Sequence, residues 1–279
     1  MSVKLIVAMC KNNGIGFDNK IPWRISEDMS YFSKKTSGDY SVDGIKKNAV
    51  IMGRNTWESL PKKYKPLPNR FNIVLTRNTQ RLQELDHYDT NKKDIEYVSS
   101  LDGAIELCYG GGEKGENSIN NNTQNESIVN DIWIIGGSSL YREFIDYDPT
   151  PCLRLRNNNI GISSYYITYI DKEYECDTYF PMLENMNKYH LTQFEKHECI
   201  DKNTPNAPPL NVYYIVFKKI KYTDDKLLEE LFTPYRNNNS KKNTERTLLF
   251  YVKKTRIDIF DNNNNKDNDH EILFSMFCS

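Results

Sequence analysis

The sequence lacks both an excess of positive charge and a long apolar run. Its 279 residues carry 37 lysines and arginines against 38 aspartates and glutamates, which gives a formal net charge of −1. This balance argues against a nucleic-acid partner. The longest apolar run near the N-terminus, residues 5–10, is too short to cross a membrane and has no secretory cleavage site after it. We therefore expect a cytoplasmic protein that binds neither nucleic acid nor a membrane.

Closely spaced cysteine pairs are also missing. The cysteines are scattered along the chain, and no two of them form a C-x-x-C motif. This spacing indicates neither a zinc site nor a disulfide framework, so we predict buried free thiols and no metal site. The six residues concerned are Cys10, Cys108, Cys152, Cys176, Cys199 and Cys278.

Polar, low-complexity segments divide the chain. Residues 110–130 read GGGEKGENSINNNTQNESIVN, and a second interruption at residues 146–162 holds two prolines and three asparagines. Both segments are typical of surface insertions. From residue 223 onwards asparagine and lysine dominate, apart from a candidate strand pair at 247–260. We predict one domain over residues 1–222 with two inserts, followed by a partly disordered tail or linker over 223–279.

The remaining sequence alternates between strand and helix patterns. Strands are predicted at 4–9, 48–52, 72–75, 96–98 and 132–135, and helices at 26–36, 56–60, 101–109 and 138–145. Strands alone follow at 165–170, 191–197 and 212–219. This order predicts an α/β fold with a central, mostly parallel sheet, an antiparallel C-terminal edge and flanking helices.

Glycine-containing segments follow three of the predicted parallel strands, where an open α/β sheet has its ligand crevice. The first contains Gly14 and Gly16, and the other two read Gly53-Arg54-Asn55-Thr56 and Gly136-Gly137-Ser138-Ser139. Two glycine turns that each precede a helix can bind the phosphates of a dinucleotide, with Arg54 and Arg77 adding positive charge. For each turn alone, tight backbone packing is the alternative interpretation.

A formal G-x-G-x-x-G motif at residues 110–115 does not strengthen this interpretation. The dinucleotide fingerprint follows a strand and opens a helix. Here the motif follows a predicted helix and lies inside a polar insert. We therefore set it aside.

Two acids stand near the start of the first predicted helix, for which Ser26 is the expected N-cap. Asp28 and Phe32 lie on one helical face with Met29 beside them, while Glu27 points elsewhere. Asp28 has two interpretations. It is either a crevice acid with a raised pKa that binds a ligand, or a first-turn acid that stabilises the helix dipole. Glu27 is assigned to the second role.

Five ordered stretches give the sequence a specific family resemblance. They are GIG with IPW and DMSYF, then AVIMGRNTWESLP, PLPNRFNIVLTR, IIGGSSLY and YECDTYFP. In this order they resemble dihydrofolate reductase over about residues 3–220, which implies that family's three-layer fold. The aspartate at position 28 resembles bacterial and protozoan members, and the stretches KEYECDTYFP and WESLPKKYKPL point to unicellular parasites. In protozoan members the reductase is usually fused to a thymidylate synthase. We expect a free-standing reductase or the reductase part of such a bifunctional enzyme, with thymidylate synthase outside this chain.

The resemblance implies hydride transfer from NADPH to dihydrofolate, giving tetrahydrofolate, and binding of antifolate inhibitors. It implies a catalytic set of Asp28, Thr178 and Trp23, in which the Thr178 hydroxyl supports the Asp28 carboxylate. Arg70 would pair with the α-carboxylate of the substrate's glutamyl tail, which suits guanidinium geometry. The loop over residues 14–23 would close over the nicotinamide.

The other implied contacts form two sets. Besides Arg70, the substrate contacts are Ile6, Val7, Met29, Phe32, Ser59, Leu60, Leu67 and Ile135. The cofactor contacts are Ala8, Ile15, Gly16, Gly53, Arg54, Asn55, Thr56, Leu75, Thr76, Arg77, Gly136, Gly137, Ser138, Ser139, Leu140 and Tyr141. Asn55 departs from the family pattern, in which a basic or imidazole residue often follows the arginine. More of the phosphate contact is then left to Arg54 and Arg77.

Two other functions stay open at this point. A riboflavin-pathway pyrimidine reductase would share the fold and NADPH, and a non-catalytic binding protein could be built on a decayed reductase. Neither requires Asp28, Thr178, Arg70 and both glycine turns to occur together, as they do here. Their joint presence favours the dihydrofolate reductase.

Overall fold

The computed structural model describes residues 1–37, 46–79, 94–109, 128–147, 160–183 and 186–220. The tail with its candidate strand pair at 247–260 and the G-x-G-x-x-G segment at 110–115 lie outside these ranges. Within them, no helix is long and apolar enough to cross a membrane.

A mostly parallel sheet of eight strands forms the centre of the protein. Its strands are β1 (Val3–Cys10), β3 (Asn48–Gly53), β4 (Arg70–Leu75), β5 (Ile95–Val98), β6 (Ile132–Ile134), β7 (Ile162–Ile170), β9 (Tyr189–Cys199) and β10 (Leu210–Lys219). Their order in the sheet is β5-β4-β3-β6-β1-β7-β10-β9, and β10 runs antiparallel to both of its neighbours while the other pairings are parallel. The predicted sheet with its antiparallel C-terminal edge is therefore confirmed.

Helices cover both faces of this sheet. They are α1 (Ser26–Ser37), α2 (Arg54–Ser59), α3 (Leu101–Cys108) and α4 (Ser138–Ile145). Side chains alternate along β1, so that Leu5 packs with α3 and α4, whereas Ile6 packs with Trp57 of α2 and Phe32 of α1. The result is the three-layer α/β architecture, with α1 and α2 on one face and α3 and α4 on the other.

The predicted elements are present, with bounds that differ by a few residues. Most strands are longer than predicted, because the hydrogen-bonded ladders continue into polar and aromatic residues that break the apolar pattern. One pair was not predicted: β2 (Gly14–Gly16) pairs with β8 (Thr178–Tyr179). Segments this short carry no periodicity that a sequence pattern could reveal.

Two local predictions were wrong. Ser26 is the first residue of α1 and not its N-cap, because the carbonyl of Ile25 accepts the bond from the Met29 N–H. The two polar inserts also extend less far than predicted, at the C-terminal end of each. Val129 and Ile160 are buried in the core, because their apolar side chains pack with the main sheet.

Candidate active site

Asp28 lies in the first turn of α1 and is only 8% exposed. Burial raises the pKa of its carboxyl to about 6, and a hydrogen bond donated by the Thr168 hydroxyl opposes this rise. The Trp23 indole N–H also faces the carboxyl and opposes the rise, although it has no partner at normal hydrogen-bond geometry among the described residues. A carboxyl in this environment can exchange a proton near neutral pH.

A cavity of about 270 Å³ opens beside this carboxyl. Besides Asp28, its lining includes the apolar and aromatic side chains of Ile21, Trp23, Met29 and Tyr64. The rest of the lining is Arg24, Ser26 and Lys202, so the acid forms part of the wall of a concave space that combines apolar and polar side chains. This position favours the ligand-binding interpretation of Asp28 over the helix-dipole interpretation. Glu27, by contrast, is exposed.

The threonine next to Asp28 is Thr168, not the predicted Thr178. Thr168 lies on β7 and is buried, whereas Thr178 lies on β8 and donates its hydroxyl hydrogen to Asp177 Oδ1 at 2.8 Å. Sequence reasoning missed Thr168 because it looked for the threonine close to the CDTYFP motif. The stretch YYITYI carried a usable signal, since a hydroxyl in a buried apolar strand needs a hydrogen-bond partner.

Asp201 holds the segment that carries Trp23, and sequence reasoning missed this residue. Its carboxylate accepts hydrogen bonds from the Arg24 N–H and from the Tyr174 hydroxyl, each at 2.9 Å. The N–H of Lys202 donates to the Arg24 carbonyl at 2.9 Å. The backbone after Trp23 is therefore fixed to the β9–β10 connection. The two partners are far apart in sequence, so local spacing carried no signal for this contact.

The apolar and serine residues predicted to contact the substrate fall into three groups by position. Ile6, Phe32, Leu60, Leu67 and Ile135 share the apolar cluster under α1 and α2, on the Asp28 side of the sheet. Val7 was wrongly predicted as a wall, because strand alternation turns its side chain into the core on the opposite face. Met29 is 53% exposed at the cavity mouth, and Ser59 is exposed and donates its hydroxyl hydrogen to the Thr56 carbonyl.

Arg70 is 2% exposed, which is rare for an arginine. Its Nη1 donates to Thr36 Oγ1 at 2.7 Å, its Nε donates to the Pro68 carbonyl at 3.0 Å, and its Cζ lies 5.8 Å from the Phe32 ring centroid. These contacts fix the orientation of the guanidinium. Its pairing with a substrate carboxylate stays a prediction.

The two predicted glycine turns meet at the ends of the neighbouring strands β3 and β6. The Gly53 N–H donates to the Gly136 carbonyl at 2.7 Å. Gly136 has a φ of +106°, and a Cβ atom added there would lie 3.0 Å from the Tyr141 hydroxyl. That hydroxyl donates to the Ile6 carbonyl at 2.7 Å. Tight packing therefore explains the glycine at 136, and the role of both turns in cofactor binding stays a prediction.

The remaining predicted cofactor contacts surround these turns with different exposures. Arg54, Asn55, Arg77 and Ser139 are exposed, and the Arg54 guanidinium lies 3.7 Å from the Glu58 carboxylate. The Leu140 side chain was wrongly predicted as a contact, because it is buried in the core below α4. The partly exposed or buried positions are Ala8, Ile15, Gly16, Thr56, Leu75, Thr76, Gly137 and Ser138.

Comparison with known proteins identifies the family. The family described as dihydrofolate reductase matches residues 2–214. The dihydrofolate reductase of Heliothis virescens is 32% identical over 220 residues, which cover 79% of this chain and 98% of that protein. The Drosophila melanogaster enzyme is 37% identical over 180 residues, covering 64% of this chain and 79% of that protein.

A further relative is the bifunctional dihydrofolate reductase-thymidylate synthase of Daucus carota, which is 34% identical over 182 residues. The match covers 65% of this chain and 28% of that longer protein. The resemblance stated from the five sequence stretches is therefore confirmed, and this chain belongs to the dihydrofolate reductase family.

Proposed function

We propose that this protein reduces dihydrofolate to tetrahydrofolate with NADPH, and so supports thymidylate, purine and one-carbon metabolism. The observation that carries the proposal is the buried Asp28 carboxyl in the wall of the cavity. Family membership supports the same reaction. The net change is the addition of one hydride and one proton across a carbon–nitrogen double bond of the pterin ring.

Asp28 has two tasks in this reaction. Its carboxylate accepts hydrogen bonds from the amidine-like edge of the pterin, which orients the ring in the cavity. Because burial raises the pKa of Asp28 to about 6, the carboxyl can also hold and release a proton near neutral pH. That proton reaches the ring nitrogen beside the carbon that receives the hydride, with water as the carrier. Thr168 and Trp23 hold the carboxyl in position.

The residues at the strand ends fit an anionic dinucleotide. The turns at Gly53 and Gly136 bring backbone close to the crevice, and no side chain caps the N-terminus of α4 among the described residues. Arg54 and Arg77 add exposed guanidinium groups for the phosphates. NADPH supplies the hydride when it is bound. We also propose that the reaction needs no metal ion, as expected from the sequence.

Arg70 is the proposed partner for the substrate's glutamyl α-carboxylate. Its fixed guanidinium suits a bidentate contact, and it lies 5.8 Å from the ring of Phe32, which shares an apolar cluster with Leu60 and Leu67. Antifolate inhibitors would occupy the same space. We propose that the reductase unit spans residues 1–222 and that residues 223–279 form a tail or linker.

A thymidylate synthase, fused or separate, is the proposed metabolic partner. The bifunctional relative in Daucus carota supports this part of the proposal. We also propose that the reaction takes place in the cytoplasm.

The test measures NADPH oxidation by the full chain in the presence of dihydrofolate, with Asp28→Asn as variant and Glu27→Gln as control. We expect methotrexate-sensitive turnover by the parent and a loss of kcat/KM of about 100- to 1,000-fold in Asp28→Asn, because the acid is removed. Glu27→Gln should stay within about twofold, because Glu27 is exposed.

Equal turnover by Asp28→Asn and the parent, both below and above the pKa of Asp28, would contradict the assigned role. NADPH binding without dihydrofolate turnover by the parent would favour the pyrimidine reductase. If the parent neither binds NADPH nor turns over dihydrofolate, a non-catalytic binding protein on a decayed reductase scaffold would be favoured.

A further inference from the structure

Tyr31 and Tyr214 are buried polar residues near Asp28 that do not line the cavity and have no role in the reaction described above. A substrate that fills the cavity covers the carboxyl on the cavity side. Above its pKa, Asp28 is ionised when the substrate binds and must therefore take up a proton while the cavity is filled. The inference below rests on the proposed function and concerns the route of that proton.

A row of polar side chains crosses the sheet from Asp28 to its edge. Thr168 on β7, which donates to Asp28, is the cross-strand partner of Tyr214 on β10. Tyr214 is in turn the partner of Glu195 on β9, the edge strand. Directly paired residues point to the same face of a sheet. The Thr168, Tyr214 and Glu195 side chains therefore lie side by side, and Glu195 is exposed.

Tyr214 is 5% exposed, and its hydroxyl has no hydrogen-bond partner among the described residues. Its ring stacks on Tyr31 of α1, with centroids 4.3 Å apart and an interplanar angle of 29°. The Tyr31 hydroxyl is also buried and without a partner in the described part of the chain. Buried hydroxyls of this kind normally bind ordered water. The two stacked rings therefore place two buried hydroxyls that can bind water in the layer between α1 and β10.

Charged and titratable groups surround this path from every packed element. Asp28, Glu27 and Lys35 belong to α1, Tyr166 to β7, and Glu195, His197 and Cys199 to β9. Burial raises the pKa of the Tyr214 hydroxyl, and nearby Asp28, Cys199 and Glu27 raise it further. The hydroxyl therefore stays protonated. It can transmit a proton only by accepting one as it donates another.

We propose that Tyr214, together with the Tyr31 hydroxyl, relays protons from the Glu195 edge of the sheet to Asp28 while substrate fills the cavity. In one transfer, Tyr214 donates its hydroxyl proton towards Asp28 through a bridging water and accepts a proton from the Glu195 side. Tyr214 is unchanged at the end, Asp28 becomes neutral, and the proton comes from solvent. No bond other than O–H bonds forms or breaks.

Packing alone is the competing explanation for Tyr214. Its ring stacks on Tyr31 and meets His197 edge-on at 5.2 Å, contacts that phenylalanine would keep. The substitution Tyr214→Phe removes one buried oxygen and no ring contact. It therefore separates the two explanations with little risk to folding.

The experiment follows single-turnover hydride transfer by stopped flow in H₂O and D₂O, below and above the pKa of Asp28. The variants are Tyr214→Phe and Glu195→Gln. Their matched controls are Tyr213→Phe, which lies in the core on the opposite face, and Glu198→Gln, the exposed residue of β9 whose side chain points to the other face. The Asp28 pKa of each free protein is measured separately by infrared titration of the carboxyl.

Above the Asp28 pKa, we expect both variants to transfer hydride about tenfold more slowly, with a larger solvent isotope effect than the parent. Below that pKa they should match the parent, because Asp28 is already protonated when substrate binds. The KM for dihydrofolate should not change. Both controls should follow the parent throughout.

The relay is wrong if the variants keep the parent's rates and solvent isotope effect. It is equally wrong if their pH–rate curves only move along the pH axis by the change in Asp28 pKa, since that result is purely electrostatic. If the parent itself fails to reduce dihydrofolate, the proposed function is wrong. The infrared titration still shows whether Tyr214 is coupled to Asp28 in that case.

Discussion

The glycine turns and the surroundings of Asp28 differ in how their polar groups are satisfied. At the turns, the Gly53 N–H donates to the Gly136 carbonyl, and the Tyr141 hydroxyl donates to the Ile6 carbonyl. Each of these groups has a protein partner within the same few residues of the crevice edge. The turns are thus fixed by backbone geometry before any ligand arrives.

Around Asp28, by contrast, several buried polar groups have no protein partner among the described residues. The Trp23 indole N–H and the hydroxyls of Tyr31 and Tyr214 are buried without partners in the described ranges. Burial also raises the pKa of the Asp28 carboxyl to about 6. The polar groups at the glycine turns are thus satisfied within the protein, whereas the acid sits in an environment that destabilises its charged form. Stability and chemistry should therefore respond differently to mutation in the two regions.

The largest expected effect on stability comes from Asp28. Its folded-state pKa of about 6 lies above its ordinary value of 3.8, so the folded state binds the proton more tightly than the unfolded state. The contribution of Asp28 to stability is complete below about pH 4 and is lost as the pH rises through about 6. We expect this loss to amount to about 3 kcal/mol.

The measurement is the free energy of unfolding of the parent and of Asp28→Asn across this pH range. Because asparagine cannot ionise, the free energy of unfolding of the variant should increase relative to that of the parent as the pH rises. Asp131 and Asp201, whose pKa values are lowered, titrate in both proteins and cancel in the difference. If the difference in the free energy of unfolding between the two proteins stays constant with pH, burial does not raise the pKa of Asp28.

A smaller effect is expected at the glycine turns. Gly136→Ala places a Cβ in a left-handed conformation with a φ of +106° and against the Tyr141 ring. We expect a loss of about 1–3 kcal/mol in the free energy of unfolding, independent of pH, and about tenfold weaker NADPH binding. Chemical denaturation and fluorescence titration with NADPH measure the two quantities.

Gly161→Ala is the control for this variant, because its added Cβ would meet only the Lys219 amine at 3.7 Å. It should leave both quantities near those of the parent. Equal behaviour of the two alanine variants would contradict the packing requirement at Gly136.

The smallest effect distinguishes two threonines. Thr168→Val removes the hydroxyl that donates to Asp28, so the Asp28 pKa should rise and the pH–rate profile of kcat/KM should move to higher pH by the same amount. Thr178→Val removes only the bond to Asp177 and should change neither quantity measurably. pH–rate profiles of both variants test the assignment. The reverse ranking would restore the residue predicted from the sequence.

Much of the fold could be predicted from short-range patterns. The apolar run of β1, the helix that begins after Gly137 and the glycine at the end of β3 each report on their own local conformation. These patterns repeat within a few residues, so neighbouring side chains are enough to define them. The β2–β8 pair was not predictable, because its two partners are far apart in sequence and each is only two or three residues long.

The candidate site likewise combines features set by local sequence with features set by long-range pairing. The sequence by itself determined the strand–helix order, the two glycine turns and the presence of Asp28 on the first helix. Only the tertiary structure decided that Thr168 donates to Asp28, that Val7 faces away from the crevice and that Tyr214 stands between Thr168 and Glu195. These facts depend on strand register and on which sheet face a helix covers. Both are fixed by long-range pairing, which the spacing of residues along the chain does not encode.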